Sequence, residues 1–424
     1  MRRMKDSGVE WVGEIPSTWN INTISQLFKQ IKNKNTDLRE KNLLSLSYGK
    51  IKRKDVETTD GLLPESFEGY NIIDENDIVL RLTDLQNDHK SLRVGLATER
   101  GIITSAYLTI RNYSESLAKY LYYYLHSFDI AKGFYGMGAG VRQGLNWEGI
   151  KQIKVLKPSV DEQQRIVSFL DAECNRIDKV IEQTKASIEE YKKLKQSIIT
   201  QAVTKGIRPE RELKDSGIEW IGEIPKEWGI IPIKYICSYN DEVLQEDTTP
   251  DFIFDYIEIG SVEYGRGIIS MQHIRFKEAP SRARRIVKEN DIIVSTVRTY
   301  LKAVASIPHF NTPIIVSTGF VVIRPRDINH MFLKYVILSK AIVSEIESYS
   351  VGITYPAINA SQVVKLKIPL PLIEEQNTIA IYLEEKCLKI DRIIESKEKL
   401  LADLESYKKS LIFVYTTGKK EVTI

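Results

Sequence analysis

The chain has 424 residues, enough for two to four domains, and its 42% hydrophobic content supports sizeable cores. No apolar run reaches the roughly 18 residues that a membrane-spanning helix needs, so a transmembrane helix is excluded. A net charge of +3 and a pI near 8.4 permit nucleic-acid binding without demanding it, and fall short of a histone-like binder.

The N-terminal stretch MRRMKDSGVEW has basic residues but no apolar segment behind them, so it does not read as a signal peptide. Three widely separated cysteines, Cys174, Cys237 and Cys387, speak against a disulfide framework or a zinc site and fit a reducing cytoplasm.

Residues 4–19 read MKDSGVEWVGEIPSTW, and residues 213–228 read LKDSGIEWIGEIPKEW. Eleven of the sixteen positions are identical, so the chain carries an internal duplication. The period, about 210 residues, is a whole domain with its connector, too long for a solenoid or propeller unit. The match continues at a drifting offset. Glu75-Asn76-Asp77-Ile78-Val79 answers Glu289-Asn290-Asp291-Ile292-Ile293, Asn146 answers Asn359, Pro158 answers Pro371, and Glu162-Gln163 answers Glu375-Gln376.

The first part of each half, residues 20–157 and 229–370, reads as a mixed α+β domain of about 140 residues. β-Branched runs at 77–82, 101–111, 291–297 and 313–324 predict strands, and residues 116–128 and 330–348 carry helical patterns.

The second part of each half predicts a long helix. Leu170, Cys174, Ile177, Ile181, Thr184, Ile188, Tyr191, Lys195, Ile198 and Ala202 alternate in steps of four and three, a heptad seam. The same register recurs at Leu383, Cys387, Ile390, Ile394, Lys397, Leu401, Leu404, Lys408, Leu411 and Tyr415. Gly206 with Pro209, and Gly418, are stop signals. The shared register predicts that the two helices pair. Each KDSG-EW-GEIP segment follows a helix end or opens the chain, so equivalence of the halves requires antiparallel helices and a pseudo-twofold axis. The expected division is residues 1–157, domain one; 158–206, helix one; 207–370, domain two; and 371–424, helix two.

Catalytic signatures are missing. The sequence contains no G-x-x-x-x-G-K-[ST] loop, no H-E-x-x-H and no G-x-S-x-G elbow, and its five histidines do not cluster. Phe134-Tyr135-Gly136-Met137-Gly138-Ala139-Gly140 reads as a loop rather than a nucleotide site, and the second half has Ser350-Val351-Gly352-Ile353-Thr354 in its place. The chain therefore reads as non-catalytic, with no metal site and no bound cofactor.

Basic and aromatic residues gather in the turn-rich segments. In domain one these are Tyr48, Lys50, Lys52, Arg53, Lys54, Arg81, Lys90, Arg93, Arg142 and Gln143. In domain two they are Tyr264, Arg266, Arg275, Arg282, Arg284, Arg285, Arg298, Thr299, Tyr300 and Lys302. Each alone could be a solvated surface group. As a set they fit double-stranded DNA, with Arg and Lys on phosphates and Arg, Gln, Ser and Thr on base edges. The segments differ between halves while the helices match, as a device reading two different sequences requires.

The paired W-[VI]-G-E-I-P-x-x-W segments, the P-x-x-x-E-Q start of each helix, Ile177-Asp178 with Ile390-Asp391, and Gln201-Ala202-Val203-Thr204-Lys205-Gly206 resemble the specificity subunit of type I restriction–modification systems. The resemblance spans essentially the whole chain. Val414-Tyr415-Thr416-Thr417-Gly418-Lys419 keeps only a trace of the A-V-T-K-G ending. The resemblance implies two target-recognition domains joined by an antiparallel coiled coil, each reading one half of a split, asymmetric DNA site. It implies two modification subunits carrying S-adenosylmethionine and methylating adenine N6, and two restriction subunits using ATP and Mg2+ as further partners. The competing reading is a structural adaptor with two protein-binding domains on a rod.

Overall fold

The computed structural model describes residues 2–54, 66–85, 92–135, 137 and 144–422. The chain divides into two units, one of Met1–Lys185 with Lys399–Ile424 and the other of Ala186–Glu398. The boundary passes through two long helices, Val160–Lys205 and Ile373–Thr416. Each unit thus holds the first half of one long helix and the second half of the other.

Unit one opens with an antiparallel hairpin, Met4–Asp6 with Glu14–Pro16. Asn20–Thr23 pairs antiparallel with Lys154–Lys157, just before the first long helix. The main sheet is antiparallel, in the order Phe28–Ile31, Leu108–Asn112, Ile78–Leu80, Val94–Leu96. The central run Ile78-Val79-Leu80 is fully buried, as a continuous apolar strand should be. The helix Ala118–Ile130 packs on this layer through Tyr120, Leu121, Tyr124 and Leu125.

Unit two repeats the plan. Leu213–Asp215 pairs with Glu223–Pro225, and Gly229–Pro232 pairs with Lys367–Leu370. The equivalent sheet runs Cys237–Tyr239, Phe320–Pro325, Ile292–Ser295, Val304–Ser306. A second four-stranded sheet, Gln272–Arg275, Ile253–Ile257, Ile314–Ser317, Ala283–Ile286, contains a parallel pair. The pattern at 313–324 had read as one strand. It is two strands separated by a turn at Thr318-Gly319, where a Cβ on Gly319 would lie 2.6 Å from Ile259. The single helix expected over 330–348 is two, His330–Leu338 and Lys340–Ser348. Ser339 separates them, its hydroxyl donating to the Val336 carbonyl at 2.6 Å and its extended backbone opening the second helix.

One polar device is built twice. Asp77 and Asp291 are almost fully buried. Arg111 donates to Asp77 at 2.6 Å from both Nε and Nη2, and Arg324 donates to Asp291 at 2.9 and 2.8 Å. Each carboxylate also accepts a backbone N–H, from Asp74 or Lys288. These forks hold both guanidiniums above their ordinary pKa. Asn76 and Asn290 take the left-handed turn (φ 70 and 69) beside them.

The long helices run antiparallel within each unit. In unit one Phe169 packs on Tyr415, with ring centroids 4.5 Å apart, and Lys408 reaches Asp178 at 2.6 Å. In unit two Lys195 reaches Asp391 at 2.7 Å, and the Lys397 ammonium lies 5.7 Å from the Tyr191 ring. The seam positions Leu170, Cys174, Ile177, Ile181, Ile188, Leu383, Cys387, Ile390, Ile394 and Leu411 are buried, while Tyr191, Ile198, Leu401 and Leu404 are half-buried. The two seam lysines are the duplicated residues, and so are their aspartate partners. The pairing is therefore self-consistent under exchange of the helices, and an ion pair at these seam positions also fixes register.

The KDSG-EW-GEIP segments close against the helix ends. Trp19 Nε1 donates to Glu162 at 3.1 Å, and Trp228 Nε1 donates to Glu375 at 3.0 Å. Arg2 and Arg211 pair with the same two carboxylates. Both indoles are 1% exposed, and deleting either would cost about 3–5 kcal/mol. Gly418 (φ 73) ends the second helix against Pro16, where a Cβ would come within 2.4 Å. Only glycine meets both demands there.

Candidate nucleic-acid interface

In unit one the hairpin Leu44–Ser47 with Lys50–Arg53 turns through Tyr48 and Gly49, both at positive φ (47 and 74). Such a two-residue turn matches the twist of a hairpin. Tyr48 is exposed at its tip. Gly49 is required twice over, because a Cβ would also lie 3.1 Å from Leu92 and 3.5 Å from His126. Lys50 bonds Asp178 on the first long helix at 3.0 Å, and the Tyr122 hydroxyl donates to the Gly49 carbonyl. Burial tends to raise the Asp178 carboxyl, but its hydrogen bonds from Lys408 and Lys50 prevail and hold it below the usual range. Arg53 forks onto Glu99. Lys52 stays exposed, and Lys54 is half-buried.

Arg93, grouped with the DNA-contact candidates from its sequence setting, is fully buried. Its guanidinium donates to the carbonyls of Arg81, Thr83 and Asp84 and to the Tyr135 hydroxyl at 2.8–3.2 Å. A buried cation with these partners organises the 81–84 turn from within and presents nothing to a duplex. Arg81 is half-buried beside it. Lys90, Arg142 and Gln143 lie outside the described residues.

The equivalent turn of unit two, Tyr264-Gly265-Arg266, also touches the long helices. The Tyr264 hydroxyl lies 2.9 Å from Gln196 Oε1 and 3.0 Å from the Leu338 carbonyl, and burial pushes its pKa up to about 12. Arg266 pairs with Glu398 and Glu263, and Lys195 donates to the Gly265 carbonyl at 3.2 Å. Both hairpin turns thus fasten their domain to the coiled coil, a role that charge alone did not reveal.

The remaining candidates of unit two divide. Arg275 faces Asp251 at 3.7 Å. Arg284 lies over the Phe276 ring, and Arg285 is half-buried, its pKa lowered by desolvation. Arg282 is exposed. The turn Thr299–Leu301 is flanked by Arg298 and Lys302, both left-handed (φ 51). A non-glycine residue there costs on the order of 1 kcal/mol, and such strain concentrates at functional sites. Asp84 of unit one, at the duplicated place, is left-handed too (φ 56). Thr299 is buried, Tyr300 is half exposed, and Lys302 pairs with Glu347 at 3.0 Å. Arg298 is exposed, with its guanidinium 5.1 Å from the Tyr355 ring centroid.

Tyr355 belongs to a segment to which sequence reasoning gave no role beyond replacing the glycine-rich loop. Residues 349–357 carry Val351, Ile353 and Tyr355 in alternation, all exposed. The signal available was the alternation itself, obscured because the equivalent stretch of unit one is glycine-rich. Among the described residues no group of His, Cys, Asp and Glu could hold a metal ion, and no helix is long and apolar enough to cross a membrane.

Duplicated α+β domains, each anchored to a half of two paired helices and each turning a different basic and aromatic surface outward, define a two-module recognition protein. The sequence model for the type I restriction modification DNA specificity domain matches residues 16–190 and again residues 225–406. The MjaVIII type I restriction enzyme specificity subunit of Methanocaldococcus jannaschii is 23% identical over 421 residues, 96% of this chain and 94% of the relative. The putative MjaX specificity subunit of the same organism is 24% identical, covering 97% of this chain and 96% of its own length. A solved chain from a study of complex assembly and conformational transition of the type I R-M system shares the fold, with a TM-score of 0.67 at 16% identity over 96% of this chain and 99% of that one. The chain belongs to the type I restriction–modification DNA specificity family.

Proposed function

We propose that the chain is the DNA-reading specificity subunit of a type I restriction–modification complex, and that each unit reads one half of an asymmetric, split site. The observation that carries this is what the two units share and what they do not. The Asp–Arg fork, the Trp–Glu closure and the seam ion pairs recur residue for residue. The outward surfaces do not recur: the left-handed turn carries Arg298 in unit two and Asp84 in unit one, and the exposed Val351, Ile353 and Tyr355 of unit two answer a glycine-rich stretch of the unit-one sequence. Identical mounts with unlike reading faces suit an asymmetric sequence.

The chain supplies recognition and no chemistry. Modification subunits carrying S-adenosylmethionine methylate adenine N6 on the bound duplex, and restriction subunits use ATP and Mg2+. The base pairs between the half-sites go unread, and the long helices set their number. Of the basic residues, Lys52, Arg282 and Arg298 with Tyr48 and Tyr300 are the exposed ones that suit contact with DNA. Lys50, Arg266 and Tyr264 serve the mounting.

The test is duplex binding by the chain co-expressed with its modification partner, measured across salt concentrations. DNA recognition predicts affinity that falls steeply with salt and a preferred sequence. An adaptor with two protein-binding domains predicts no duplex binding at any salt.

A further inference from the structure

We propose that the segment 349–357 of unit two reads a thymine through its C5-methyl group, with Ile353 as the contacting side chain. This rests on the DNA-specificity reading above and deepens it.

Single exposed apolar residues are ordinary on protein surfaces. Here four fall on one short segment. Ile353 is 102% exposed, Val351 80%, Tyr355 62% and Tyr349 51%. The segment is nonetheless tied down. Val351 and Ala357 exchange backbone hydrogen bonds at 2.9 and 3.0 Å, and the Ile358 N–H donates to the Thr296 carbonyl at 2.8 Å. Val297 bridges to Ala357, and the Arg298 guanidinium covers one face of the Tyr355 ring. Gly352, at φ 117 and with a would-be Cβ 3.1 Å from the Tyr355 carbonyl oxygen, permits the tight reversal that carries Ile353 outward. A held loop that presents a bare branched aliphatic group has the form of a contact waiting for its partner.

The charge around it selects the partner. Neither 296–302 nor 349–357 contains a carboxylate; Lys302 is paired with Glu347, which leaves Arg298 as the cation beside the tip. An apolar tip beside an exposed guanidinium suits a polyanion that offers a methyl group. The major groove of DNA offers one, the C5-methyl of thymine, and an apolar side chain against it is an established way of distinguishing T·A from C·G. Arg298, held by its left-handed backbone and by Tyr355, is the positioning residue that keeps the tip at the groove.

The experiment uses the full chain with its co-expressed modification partner and the duplex motif found by methylation mapping. Each thymine of the motif is replaced singly by deoxyuridine, which deletes only the methyl group. Wild type should bind about fourfold more weakly at one position of one half-site, the loss expected for one buried methyl group. Ile353→Ala should bind the natural duplex weaker by a similar factor and become insensitive to deoxyuridine there, with an unchanged melting temperature. Its methylation map should tolerate other pyrimidines at that position. Wild type binding its site with no sensitivity to deoxyuridine, or a motif without T·A pairs in either half-site, overturns the proposal. So does an Ile353→Ala variant that loses its modification partner while keeping deoxyuridine sensitivity, which would make the tip a protein-docking contact. A wild-type complex with no sequence preference at all would instead overturn the DNA-specificity reading on which the proposal stands.

Discussion

Replacing Asp291 by asparagine tests whether the duplicated fork frames the sheet. Asp291 is 1% exposed and accepts three hydrogen bonds, two from Arg324 and one from the Lys288 N–H. Breaking a buried charge pair typically costs 3–5 kcal/mol because the partner is left uncompensated. Arg324 is not left so, since Glu242 stays at 2.7 Å. The neutral amide also keeps one acceptor for the backbone N–H. The expected loss is therefore smaller, about 2–3 kcal/mol. Urea unfolding of the full chain, followed at several wavelengths to separate the units, gives the value. Asp291→Asn combined with Arg324→Met should lose less than the sum of the single changes. A loss below about 0.5 kcal/mol for Asp291→Asn, the range of ordinary surface changes, would refute the fork as a frame.

Three further outcomes follow from the same geometry. His126 is buried, and desolvation, with Lys408 and Lys409 nearby, lowers its pKa to about 4. Its folded pKa lies below the unfolded value, so stability is lost as pH falls from about 6.5 towards 4; roughly 2–3 kcal/mol should vanish by pH 4.5 and return in His126→Gln, read by denaturant titration. The depressed Asp178 carboxyl has the usual acidic sign, with stability present above its unfolded value and lost as pH falls through the folded one. Asp178→Asn should remove that part of the acid sensitivity while costing stability at pH 7. Inserting one heptad at matching points in both long helices keeps the seam and lengthens each by about 10 Å, so the unread spacer should grow by about three base pairs with the half-site sequences unchanged in a methylation map.

Much of this architecture was legible in the sequence because it rests on periodic or repeated features. The heptad seam, the glycine stops at Gly206 and Gly418, and the Asp77 and Asp291 segments are local patterns that the fold preserves. The functional surface was less legible. A run such as Lys50-Ile51-Lys52-Arg53-Lys54 shows its charge, but not that Lys50 faces Asp178 and Arg53 faces Glu99, partners far away in the chain. Arg93 has the sequence setting of a surface cation and is enclosed, among the described residues, by oxygens of Arg81, Thr83, Asp84 and Tyr135. Ile353 counts in the sequence only as part of the stretch that replaces the glycine-rich loop, because an apolar residue in a loop is ordinarily half-covered. Only the folded arrangement shows that nothing covers it.

The most direct measurement is a methylation map by single-molecule sequencing of DNA from cells expressing this chain with its modification partner, alongside a chimaera with residues 229–370 taken from a family member of different specificity. The account predicts a split adenine-methylated motif for the natural chain, and for the chimaera a new sequence in one half with the other half and the spacer unchanged. A chimaera that alters both halves, or a natural motif that is one unbroken sequence, would contradict it.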